Sequence, residues 1–198
     1  MGCHNLQHLN LANTDMFRMD FDEGLSPVLS VCGSNLVSLA LDRFKHVDVS
    51  FIGVNCPKLR RLSLSHIVHY GQLVTVCQDQ YTKLEELTLE NQYGAHIVSN
   101  ILRQLLEFSA GLQQLSLLLV DSLDDLVWSQ VMSRNKTQLE SLSLDQCHSL
   151  SGDRLEDILT QHNNLQVLNV WSCRFITVKH RDQFKKLTRT ENYDVSIR

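Results

Sequence analysis

Leucines along the chain repeat one phrase, L-x-x-L-x-L, whose last two leucines alternate with residues that are mostly polar. It occurs as Leu6/Leu9/Leu11, Leu36/Leu39/Leu41, Leu59/Leu62/Leu64, Leu84/Leu87/Leu89, Leu112/Leu115/Leu117, Leu139/Leu142/Leu144 and Leu165/Leu168/Val170. The starts lie 30, 23, 25, 28, 27 and 26 residues apart. Around each final pair, as in Arg61-Leu62-Ser63-Leu64-Ser65, the period is two, which predicts a short strand with one buried face.

Between phrases the apolar residues change to steps of three and four, the mark of helices. These steps predict a helix over Ala95 to Ser109 through Ile97, Ile101, Leu102, Leu105 and Leu106, with Gly111 after it as terminator. A second is predicted over Asp124 to Met132 through Leu126, Val127, Val131 and Met132. A third covers Gly152 to Thr160 through Leu155, Ile158 and Leu159, with Ser151 or Asp153 as its N-cap. Leu73, Val74, Val76 and Cys77 predict a shorter one. The first unit is long, carrying Phe17, Met19 and Phe21 before a helix from Leu25 to Val31 whose first turn holds Pro27. Val47 to Val54 alternates, which fits an extended or single-turn segment instead of a helix. Arg181 to Leu187 predicts a polar terminal helix, and Asp194 to Arg198 either adds an edge strand or stays free.

A strand that returns to pair in parallel needs a crossover, and here the helices supply it. A phrase of this kind at this spacing is the sequence signature of a leucine-rich repeat solenoid. The expected fold is α/β, a curved horseshoe of about seven repeats with a parallel sheet on the concave face and helices on the convex face. Two prolines and eight glycines form no linker, so residues 1–198 are expected to make a single domain, with 178–198 as terminal helix and tail. The array begins almost at residue 1 with no polar cap before it, although end repeats expose apolar surface. A C-terminal fragment or an isoform of a longer protein is therefore expected.

Composition narrows the function. With 22 acidic and 18 basic residues the net charge is −4, which gives no global field to gather nucleic acid or an anionic membrane. No apolar run is long enough to span a bilayer, and no signal-peptide core opens the chain. The expected location is the cytoplasm, with the nucleus as second choice. The six cysteines (Cys3, Cys32, Cys56, Cys77, Cys147 and Cys173) follow the repeat and are read as reduced core thiols. Asn135-Lys136-Thr137 is a glycosylation sequon with no secretory signal to make it accessible. Met1-Gly2-Cys3 resembles an acylation start, but Leu6 stands where serine or threonine is usual. Cys147 and Cys173 share one place in successive repeats, yet no C-x-x-C and no histidine pair at ligand spacing accompanies them. His4, His148 and His162 fall at strand margins, where solvated loops explain them. No nucleophile, phosphate-loop or zinc-protease motif is present, so neither catalysis nor a metal or other cofactor is expected.

The outward strand positions are where function is expected. Their middle column reads Asn10, Ala40, Ser63, Thr88, Ser116, Ser143 and Asn169, small residues over which a partner could approach closely. The flanks hold the candidate partner-binding residues: Asp42, Arg61, Glu86, Glu90, Asp145 and Trp171. The acidic members form a stripe suited to a basic segment of a protein. Trp171 is a residue type enriched at binding hot spots.

Asn55-Cys56-Pro57-Lys58-Leu59-Arg60-Arg61-Leu62-Ser63-Leu64 and Leu168-Asn169-Val170-Trp171-Ser172-Cys173-Arg174-Phe175-Ile176-Thr177 resemble cysteine-containing leucine-rich repeats. Leu144-Asp145-Gln146-Cys147-His148-Ser149-Leu150-Ser151 matches the second half of that pattern, and Cys3 precedes Leu6 as Cys56 precedes Leu59. At the position equivalent to Cys147 the middle units carry Phe44, Ile67, Gln92 and Val120 instead. The class is typical of F-box/leucine-rich-repeat proteins, the substrate receptors of SCF ubiquitin ligases, and of related mitotic-exit antagonists. The resemblance implies the substrate-recognition region of such a receptor, without the F-box that would dock a Skp-type linker and cullin upstream. A non-ligase scaffold or inhibitor that occludes a partner is the other expectation.

Overall fold

A computed structural model describes residues 3, 5–14, 19–71, 80–92, 97–135, 138–160, 164–191 and 194–197. Every L-x-L phrase forms a five-residue strand: β1 (His8–Ala12), β2 (Ser38–Asp42), β3 (Arg61–Ser65), β4 (Glu86–Glu90), β5 (Gln114–Leu118), β6 (Ser141–Asp145) and β7 (Val167–Trp171). An eighth, β8 (Asp194–Ile197), follows, so the tail takes the edge-strand alternative. All pair in parallel, in sequence order, as one open sheet. Leucine faces leucine across every junction from β1 to β6; in β7 the second place is taken by Val170, opposite Leu144.

The crossovers are α1 (Ser26–Cys32), α2 (Val49–Asn55), α3 (Ser99–Phe108), α4 (Asp125–Asn135), α5 (Gly152–Thr160) and α6 (Val178–Glu191). A wide turn over Phe21–Leu25 leads into α1, whose first turn holds Pro27. Val49–Asn55 is a seven-residue helix, where the alternation points to an extended or single-turn segment in place of one. The reason is local: Asp48 Oδ1 accepts from Phe51 N at 2.9 Å and caps the first turn. Tyr81 Oη then donates to Val49 O at 2.5 Å, pinning that turn to the next unit. Residues 72–79, with the helix expected around Leu73 to Cys77, lie outside the described residues, as do Gly2, His4, Phe17, Ala95, Lys136, Thr137, His162 and Arg198.

Strand leucines and helix faces merge into one core, in which Leu142, Leu144, Leu155 and Leu168 are fully enclosed. One expectation fails. Leu126 is 66% exposed, and the buried stripe of α4 is Val127, Trp128 and Met132. The helix is rotated so that Trp128 lies inward with its indole N–H on Arg154 O at 3.1 Å, a polar anchor Leu126 could not supply. The chain leaves most strands through one left-handed residue: Arg43 (φ 60°), His66 (53°), Leu119 (57°), Gln146 (53°) and Ser172 (51°). Each of the first four donates its N–H to the last carbonyl of the following strand, so the bend extends the ladder by one bond. A left-handed non-glycine residue costs about 1–2 kcal/mol, and recurrence at equivalent sites marks the exits as a property of the repeat.

Candidate protein-binding face

Alternation in a five-residue strand sends its second and fourth residues into the core and leaves the first, third and fifth on the open face. The register aligns these into three columns. The middle one runs Asn10, Ala40, Ser63, Thr88, Ser116, Ser143, Asn169 and Ser196. No side chain in it is longer than asparagine, so the strands' floor is reachable along its length. The first flank is His8, Ser38, Arg61, Glu86, Gln114, Ser141, Val167 and Asp194. The second is Ala12, Asp42, Ser65, Glu90, Leu118, Asp145 and Trp171.

All six candidate residues therefore share this face. Arg61 and Glu86 are register partners in the first flank, whereas Asp42, Glu90, Asp145 and Trp171 line the second. Trp171 is 39% exposed at the end of its strand.

The acidic stripe is not uniform. Asp42 and Glu90 stand two strands apart, about 10 Å by sheet geometry, and His66 spans the gap from the left-handed exit of β3. Its Nδ1 lies 2.8 Å from Asp42 Oδ1 and its Nε2 3.2 Å from Glu90 Oε1. Imidazolium donates from both nitrogens and neutral imidazole from one, so the bridge is complete only with the ring protonated. Asp42 Oδ2 also meets the Arg43 guanidinium. Two of the four acids thus have a basic partner on the face itself, while Glu86 and Asp145, both half-exposed, stand outside any such bridge among the described residues. Behind the face, Arg60 reaches Glu85 at 2.5 Å, and this bond raises the guanidinium's already high pKa.

Reasoning from columns missed His66 and Arg43 because both sit one residue past the strand, where a straight strand would point them away from the face. The signal was their shared position immediately after Ser65 and Asp42.

The buried sulfurs of Cys147 and Cys173 face backbone carbonyls. Cys147 Sγ lies 3.6 Å from both Leu117 O and Asp145 O, and Cys173 Sγ 3.8 Å from Leu144 O and 3.4 Å from Trp171 O, so each thiol's single proton has backbone acceptors within reach. The hydrogen bond between the two thiols, and then burial, push Cys147 above an ordinary cysteine. Burial pushes Cys56 up to about 12. A thiol held protonated is a poor nucleophile and a poor metal ligand. Among the described residues no group of three or more histidine, cysteine or acidic side chains is placed to hold a metal ion. None of the described helices is long and apolar enough to cross a membrane.

The fold and this face define the chain as an α/β protein built on an open, all-parallel sheet with a half-exposed polar surface. No protein-family model matches the chain, and no curated protein matches it significantly.

Proposed function

We propose that the chain is a leucine-rich repeat solenoid of the cysteine-containing class, and that it works as a protein-interaction module. In this reading it is the substrate-recognition region of an SCF-type ubiquitin-ligase receptor. The observation that carries the reading is the set of three register-aligned columns on the open face, small and polar along the middle and charged along both flanks. Such a surface offers hydrogen bonds and charge along the length of a protein segment. The mechanism is positioning: the partner lies along the concave face, a basic segment facing Glu86 and Asp145, while ubiquitin chemistry is done elsewhere in the complex.

Glu86 and Glu90 occupy opposite flanks of β4, so reversing both charges changes the whole width of the face. Glu86→Arg with Glu90→Arg weakens partner binding and leaves the far-UV circular dichroism spectrum unchanged. Loss of that spectrum refutes the surface role of these residues.

The ligase assignment is tested by affinity purification of the endogenous full-length product with the proteasome blocked. Recovery of a Skp-type linker and a cullin supports it. Recovery of neither, with one partner in near-equal amount, replaces it with a scaffold or inhibitor.

A further inference from the structure

His66 joins two acidic positions of the open face from a backbone that holds it in place. It sits in the left-handed exit of β3, and its N–H donates to Glu90 O. Among the described residues, the charged groups that meet its ring are Asp42 at the end of β2 and Glu90 at the end of β4, with Arg43 behind Asp42; Ser65, on its own strand, is uncharged.

Between β2 and β6 the face carries the carboxylates of Asp42, Glu86, Glu90 and Asp145 against the guanidinium groups of Arg43 and Arg61, so its net charge is −2 with His66 neutral and −1 with it protonated. One proton therefore halves the charge that a basic segment meets. Histidine is the side chain that ordinarily changes charge between about pH 5 and pH 8.

The two ends of the bridge respond differently to loss of that proton. Neutral imidazole has one N–H and one lone pair, and the lone pair repels a carboxylate. Asp42 is short, lies 2.8 Å from the ring and is held from its other oxygen by Arg43, so it has no room to retreat. Glu90 has one more rotatable bond, lies 3.2 Å away and is 33% exposed, so it can swing off into solvent. The remaining proton thus belongs on Nδ1, facing Asp42, and Glu90 is the carboxylate that leaves.

We propose, on the reading of this face as the site of a basic segment, that His66 is a proton-operated gate: protonated, it holds Glu90 in the bridge to Asp42, and neutral, it releases Glu90 to the basic segment of a partner protein. Binding through Glu90 then expels the proton from His66. The bound state holds fewer protons than the free one, so affinity rises as pH rises through the imidazole's titration.

The test measures binding of the full chain to a rhodamine-labelled, N-acetylated oligolysine peptide by fluorescence anisotropy in low salt, at about pH 5.5 and about pH 8. Wild type should bind about threefold more tightly at the higher pH, the scale of one exposed ion pair. His66→Asn, which keeps a neutral donor and tolerates the left-handed backbone, should lose most of that difference. Glu90→Gln, with His66 in place, should bind at both pH values as weakly as wild type does at the lower one, and it decides the matter if His66→Asn loses its circular dichroism spectrum. Nitrogen NMR of the His66 ring at the higher pH should show the Nδ1–H tautomer. A pH difference that survives in His66→Asn or Glu90→Gln overturns the proposal, and so does the Nε2–H tautomer, which leaves Glu90 held and Asp42 free. Wild-type affinity equal at the two pH values overturns the gate and spares the reading of the face. No binding at either pH, or binding indifferent to Glu86→Arg with Glu90→Arg, refutes that reading and the gate with it.

Discussion

Leu142→Ala and Leu9→Ala make the same chemical change at equivalent places in two repeats, and the stacking argument requires them to differ in cost. Leu142 on β6 is fully buried between β5 and β7. Leu9 on β1 is half-buried, because a strand pairs with β1 on one side only among the described residues. Removing three carbons from a fully buried leucine forfeits about 2.4 kcal/mol of transfer free energy at about 0.8 kcal/mol per carbon. The enclosed cavity left at Leu142 adds to this, placing the total within the usual range of about 2–5 kcal/mol. At Leu9 roughly half the transfer energy is at stake, about 1 kcal/mol, and solvent fills the opening. The assay is urea unfolding followed together by circular dichroism and by the fluorescence of the buried Trp128 on α4. Because solenoids can lose end units first, the two probes must coincide before a single free energy is read. Equal destabilisation by the two substitutions would refute the reasoning, since burial by stacked neighbours would then not set the cost.

Three further outcomes follow from the geometry. Asp48→Ala removes the cap of α2 and should cost about 1 kcal/mol in the same unfolding assay, with Asp48→Ser recovering most of it. Asp20 has its pKa lowered, chiefly by the hydrogen bond to His46 Nδ1 at 2.7 Å, so its contribution is full above the unfolded carboxyl value of about 3.9 and is lost as pH falls through the lower folded value. The stability difference between wild type and Asp20→Asn should therefore shrink as pH falls through the lowered carboxyl value, as measured by urea titration at acid pH. Cys3 is exposed whereas Cys56 is buried with a pKa of about 12, so iodoacetamide followed by peptide mass spectrometry should label Cys3 promptly and Cys56 only as the chain unfolds.

The strands were legible to the residue because a period of two over five residues, bounded by a fixed leucine, leaves no freedom of register. β8 was nearly as legible. Val195-Ser196-Ile197 lies 27 residues after Leu168-Asn169-Val170, and only the polar Asn192 where the phrase begins with leucine hid it. Helices were less legible because their identity depends on neighbours. Val49–Asn55 is a short segment with alternating apolar residues that becomes a helix when Asp48 caps it and Tyr81 reaches it from 32 residues away. The turn of α4 that buries Trp128 and exposes Leu126 depends likewise on the Arg154 carbonyl of the following unit. The candidate face divides the same way. Its columns follow from the strand period alone, so all six candidate residues could be assigned to it. Its electrostatics depend on the left-handed exits, which no hydrophobic pattern encodes because the residues there range from Arg43 and His66 to Leu119 and Ser172. The backbone turn that carries His66 back over the sheet turns an apparently continuous acidic stripe into a bridged pair and two separate carboxylates. A partner's basic residues should accordingly seek Glu86 and Asp145 before Asp42.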